Sequence, residues 1–146
     1  MELNYDRLII LDAESLAELG IGAAYSRLLP ELRRHVAHPV ELDEFDDPHL
    51  PSYSVRCAGR EYVIYAPQLA AVPESSWDRA TFAFFDIVNR QLAESSVRLF
   101  AISSGNDLCG MFLTPEQALA ARESLPNRRD WPYLPDADAP WFDEPR

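Results

Sequence analysis

Apolar residues recur with two different periods along this chain, and the places where the period changes mark its elements. Residues 7–11, RLIIL, read as a short strand or as the lead-in to a helix. Asp12 then offers a helix N-cap, with Ser15 three positions on where Glu or Gln is usual. From Ala13, the residues Leu16, Leu19, Ala23, Ala24, Leu28 and Leu32 follow a helical stripe. Gly20 and Gly22 interrupt it, each costing about 1 kcal/mol relative to Ala, which predicts two helices or one kinked helix. Pro30 is expected in the first turn of a final short piece reaching Val36, with Arg33, Arg34 and His35 at its negative end.

The stretch 41–52, ELDEFDDPHLPS, predicts an acidic loop or a ragged edge strand. Next, YSVRC (53–57) and REYVIYA (60–66) are β-rich runs joined by Ala58-Gly59, a tight hairpin signal. A connector holding Pro67 and Pro73 leads to the strongest helical pattern, residues 77–94. There Trp77, Ala80, Phe84, Phe85, Val88 and Leu92 share a stripe behind a Ser75 or Ser76 cap. A second hairpin pairs VRLFAIS with LCGMFL across Ser104-Gly105-Asn106-Asp107. Thr114-Pro115-Glu116-Gln117 then opens a last helix by capping box, ending near Leu125. The proline-rich tail, 127–146, is expected to lie extended on the body, pinned by Trp131, Tyr133, Trp141 and Phe142. Together these elements predict one α+β domain over residues 1–146: a mainly antiparallel four-stranded sheet from two hairpins, with helices packed on one face.

Charge sharpens the functional picture. Against 24 Asp and Glu stand 13 basic residues, all Arg, for a net charge of −11. Such a surface repels a nucleic-acid backbone and favours encounter with a basic protein, although acidity also serves solubility alone. The start, MELNYDRLIILDAES, has no basic region followed by an apolar run and a small-residue cleavage site. No apolar stretch reaches bilayer-spanning length, and Cys57 and Cys109 fall within expected strands as buried thiols. A cytoplasmic protein without a membrane partner is expected.

Motifs for chemistry are sparse. His35, His38, Glu41, His49 and Cys57 sketch a metal site, but Pro39 ends the helix directly after His38 and no second ligand pair supports it. No GxSxG elbow, phosphate loop or activated cysteine is legible, so neither catalytic residues nor cofactors are assigned. Two surface features are more informative. Asp43, Glu44, Phe45, Asp46 and Asp47 set an aromatic anchor among carboxylates, in a stretch without a basic residue of its own. Asn106 and Asp107 stand at the tip of the second hairpin, where they serve the turn or touch a partner.

The segments ILDAESLAELGI, WDRATFAFFDIVNRQL, SSGNDLCGMFLT and DWPYLP are similar to those of small bacterial proteins, some of which resemble immunity proteins of polymorphic toxin systems. The likeness runs from about Ile10 to Pro135, and GNDLCGMFLT followed by DWPYLP is its most specific piece. The resemblance implies a cytosolic acidic protein that binds and blocks a toxin, and it transfers no functional residue. The leading expectation is therefore a protein partner, a basic toxin domain, met by residues 43–47 with Asn106 and Asp107 as a second patch. The alternative is a small-molecule binder or enzyme with a pocket between sheet and helices, lined by Phe84, Phe85, Tyr62 and Tyr65. An oligomerisation or scaffold module is the third class.

Overall fold

The computed structural model describes residues 3–69 and 75–136. Its first half runs β1 (Ile9–Ile10), α1 (Ala13–Glu18), α2 (Ile21–Leu32), β2 (Asp43–Asp47), β3 (Ser52–Cys57) and β4 (Arg60–Tyr65). Its second half runs α3 (Ser76–Gln91), β5 (Arg98–Ile102), β6 (Cys109–Leu113) and α4 (Pro115–Ser124). The glycines divide the N-terminal stripe as their cost implies: Gly20, at φ +106°, is the N-cap of α2. Pro30 departs from expectation, because it lies inside the last turn of α2 instead of opening a new piece. The bond it removes belongs to the carbonyl of Ser26, which is solvent-exposed like Pro30 and can turn to water.

The class is α+β, but the two hairpins do not build a single four-stranded sheet. Each gains its own third strand, giving the antiparallel orders β2-β3-β4 and β1-β6-β5. The acidic stretch becomes a real edge strand, paired over all five residues with β3. Side chains and the tail take up edge positions on β4 and β5. The Arg79 side chain on α3 donates to the Ile64 carbonyl of β4 at 2.7 Å. The outer edge of β5 is filled by Asn89, which bonds both Leu99 backbone groups, and by Tyr133, which exchanges two backbone bonds with Ala101.

Helices also cover both faces of the β1-β6-β5 sheet, not one. Leu99 and Ala101 join the main core with α1, α2, β3, β4 and α3. Phe100, Ile102, Met111 and Leu113 face a smaller core closed by Ala118 and Ala121 of α4. A strand buried on both faces reads as an unbroken apolar run, here LFAI after Arg98. The helix α3 sits centrally, touching α1, α2, β4 and β5. A Ser75–Asp78 capping box starts it, and Phe84 and Phe85 meet edge to face at 5.7 Å between ring centres. Both are fully buried, each worth about 1.5–3 kcal/mol against exposure.

Of the tail, Tyr133 is buried and its hydroxyl donates to the Ser103 carbonyl at 2.7 Å. The Trp131 indole N–H donates to the Leu125 carbonyl at 2.9 Å, with Arg122 and Arg128 close to its ring. Trp141 and Phe142 lie outside the described residues. No helix among the described residues is long and apolar enough to cross a membrane.

Candidate functional site

Strand pairing distributes the acidic stretch over two faces. Asp43, Phe45 and Asp47 stand opposite Arg56, Ser54 and Ser52 on the outward face of the sheet, while Glu44 and Asp46 stand opposite Val55 and Tyr53 on the inward one. The base missing from the stretch itself arrives across the ladder. Arg56 lies over the Phe45 ring at 5.0 Å and pairs with Glu61 at 3.0 Å. Phe45 remains 47% exposed, and it continues through Ser54 to the exposed Val63 in one cross-strand row.

Glu44 is committed to the fold. The α2 N-terminus has no capping side chain of its own at Gly20. The Ile21 N–H instead donates to the Tyr53 hydroxyl at 2.8 Å and the Gly22 N–H to the Glu44 carboxylate at 3.2 Å. The Tyr53 hydroxyl in turn donates to Glu44 at 2.5 Å. A carboxylate at a helix N-terminus answers both the orphan donors and the dipole. Gly22 is required for it, since a Cβ there would lie 2.2 Å from a Glu44 oxygen. Burial first, and the Glu44 carboxylate second, push the Tyr53 phenol well above its ordinary pKa.

The second hairpin tip joins the same surface by way of α1. Asn106 donates to the carboxylates of Asp12 at 3.0 Å and Glu14 at 3.1 Å. Asp12 also caps α1 through the Glu14 N–H and holds φ +64°, an unfavourable angle for a residue with a side chain. Asp107 stays exposed beside Asn106 in a short 3-10 turn entered through Gly105 at φ +60°. One turn further along α1, a hydrogen bond with Glu14 holds the Glu18 carboxyl above its usual range, with desolvation and the charges of Glu14 and Asp12 adding. Glu18 reaches the first patch across a cleft of about 240 Å³, which it lines with Leu19, Glu44, Asp46, Tyr53 and Tyr65. Burial raises the Tyr65 phenol, and the charges of Asp46 and Glu18 raise it further.

Asn106 of the one expected patch and Asp46 of the other are thus ends of one acidic band, Asn106, Asp12, Glu14, Glu18 and Asp46, whereas Asp43, Phe45 and Asp47 lie on the outward face of the sheet. Sequence reading missed its middle. Glu14 and Glu18 are a like-charge i,i+4 pair, which weakens a helix by a few tenths of a kcal/mol, and that local cost was the available signal. Leu19, 78% exposed, lies on that band beside Tyr65.

Other chemistry is differently placed. Phe84 and Phe85 are solid core, and the Tyr62 hydroxyl donates to Asp86 at 2.5 Å. Of the four residues expected to line an internal pocket, Tyr65 lines the cleft of about 240 Å³, while Phe84, Phe85 and Tyr62 line neither that cleft nor the one beside α2. The larger cleft, about 640 Å³, opens between α2 and residues 39–44, with Tyr25, Arg33 and Glu41 on its walls. Burial raises the thiols of Cys57 and Cys109, the wrong direction for a nucleophile. Among the described residues, no group of His, Cys, Asp or Glu is arranged to hold a metal ion.

No protein-family model, curated protein or solved structure matches the chain. The surface is therefore read from its own chemistry: an acidic band with a few apolar anchors on an α+β scaffold.

Proposed function

We propose that this chain is an acidic binding protein that occludes a basic protein partner, in the manner of an immunity protein blocking a toxin domain in the cytoplasm. The observation that carries this reading is the band itself. The α1 carboxylates and the inward Asp46 of β2 share one surface with Asn106, Leu19 and Tyr65, and Asp43, Phe45 and Asp47 continue it over the β2 edge onto the outward face of the sheet. Interfaces of this kind place hydrophobic anchors inside a charged rim, and opposite fields speed encounter. Asp43, Asp46 and Asp47 are the contact carboxylates of β2, with Asn106 and Asp107 at the far end; Glu44 holds the platform.

The test is capture from a native lysate by the tagged chain and by an Asp43→Arg/Asp46→Arg/Asp47→Arg variant, washed at low and then high salt. Support requires a basic protein held by the parent, released by salt, lost with the variant, and inhibited by stoichiometric addition of the parent. Equal capture by the variant refutes the assignment. The larger cleft favours a second reading, a small-molecule site with Arg33 and Glu41 as its polar contacts. Its check is ligand-induced thermal stabilisation that Arg33→Ala removes.

A further inference from the structure

The sheet edges of this molecule are treated unequally. The outer edge of β5 is closed by Asn89 and Tyr133, and the Arg79 side chain caps Ile64 on β4. The remaining edge of the other sheet, β1, is two residues long. By contrast β2 presents a five-residue edge, and among the described residues its backbone groups bond only to β3. Open edges invite strand addition, and charge decides what can add. A second copy pairing antiparallel about Phe45 would set Asp43 against Asp47 and Glu44 against Asp46, carboxylate facing carboxylate across the new ladder. Self-pairing is therefore repelled. A strand of opposite charge meets no such barrier, and its central residue would extend the exposed row from Val63 through Ser54 to Phe45.

We propose that β2 receives a fourth strand from its partner: an extended segment of pattern basic-basic-apolar-basic-basic laid along Asp43–Asp47. Main-chain bonds supply the register, basic side chains answer the carboxylates on both faces, and the apolar residue covers Phe45. The pattern reads the same in either direction, so it suits parallel or antiparallel addition. This deepens the binding reading above and rests on it for the sign of the partner's charge.

The probe is a labelled peptide, Gly-Lys-Lys-Val-Lys-Lys-Gly, with two companions methylated on alternate backbone nitrogens in complementary registers. Each is titrated by fluorescence anisotropy into the full chain and into the Asp43→Arg/Asp46→Arg/Asp47→Arg variant. Strand addition predicts that one methylated register binds about ten-fold more weakly while the other stays within about two-fold of the parent peptide. It also predicts slowed amide exchange at Asp43–Asp47 when the parent peptide binds. Two methylated peptides that both bind like the parent overturn it. In that case, loss of all binding with the variant leaves the acidic-surface reading standing, and unchanged binding to the variant removes both. No binding of the parent peptide at low salt also overturns strand addition.

Discussion

Tyr53→Phe tests the link between fold and surface. The hydroxyl accepts from the Ile21 N–H in a buried bond of 2.8 Å and donates to the Glu44 carboxylate at 2.5 Å. Removing it leaves a buried backbone donor unpaired, a cost of about 1–3 kcal/mol. Loss of a charge-assisted bond to Glu44 adds about 1 kcal/mol after discounting for the exposure of that carboxylate, which water can solvate. The expected total is about 2–4 kcal/mol, or roughly 5–15 °C in Tm for a chain of this size. Thermal unfolding followed by circular dichroism measures it. Glu44→Gln is expected to cost about 1 kcal/mol, and the double variant to show a coupling above about 0.5 kcal/mol. In contrast, Asp43→Asn and Asp47→Asn are expected within about 0.5 kcal/mol of the parent. If Tyr53→Phe unfolds within about 1 °C of the parent, water replaces the hydroxyl at the α2 N-terminus and Glu44 returns to the pool of free contact carboxylates.

Other consequences follow from neighbouring geometry. Gly22→Ala should fail to deliver the roughly 1 kcal/mol that helix propensity promises, because its Cβ expels Glu44, yet should stabilise when made in a Glu44→Ala background. Asn89→Ala should cost about 2–4 kcal/mol by urea denaturation, since it uncovers both Leu99 backbone groups on the α3–β5 contact. Tyr25, Tyr53 and Tyr62 all hold phenols above the ordinary value of about 10, burial being the largest cause for each. The folded state thus favours the neutral form, so their contribution is complete below about pH 10 and falls as pH rises beyond it, steepest in the parent and shallower in Tyr53→Phe. Glu18 should titrate above an ordinary glutamate by NMR, and Glu14→Gln should bring it down.

Local rules carried much of the fold into view. Thr114 and Gln117 close the capping box of α4, and Ser75 caps α3, because caps depend on neighbours within a few residues. The Ala58-Gly59 hairpin turn has φ +50° and +80°, the left-handed pair that a two-residue connection demands. The sheet order was not legible, because it turns on long-range contacts: Asn89 and Tyr133 filling an edge that alternation alone leaves free for pairing. Likewise the acidic stretch left loop and edge strand both open, and its pairing with β3 decides for the strand. Its three Asp and one Glu disfavour strands, yet pairing with the SYSVRC strand outweighs that preference. In the site, the ends 43–47 and 106–107 showed as local sequence clusters, whereas the α1 acids between them look like an ordinary solvated helix face until Asn106 and Tyr65 are brought alongside.

The carboxylates of the band divide by what they already hold. Asp12 caps α1 and accepts from Asn106, and Glu44 caps α2, so both are tied to helix N-termini inside the molecule. Asp43, Asp46 and Asp47 line the open edge: Asp47 accepts the exposed His49 N–H of the turn that follows, and Arg56, opposite Asp43 across the ladder, is already shared with Glu61 and Phe45. Repulsion among such exposed charges costs stability that the fold recovers elsewhere, and a basic partner relieves it on binding. Hence neutralising Asp43, Asp46 and Asp47 together should leave the free chain as stable as before, or slightly more so, while removing partner affinity. Neutralising Asp12 or Glu44 should do the reverse, lowering stability before it lowers affinity. A set of single Asn and Gln variants scored for both quantities separates the two groups, and one common ranking for stability and affinity would show that the division is wrong.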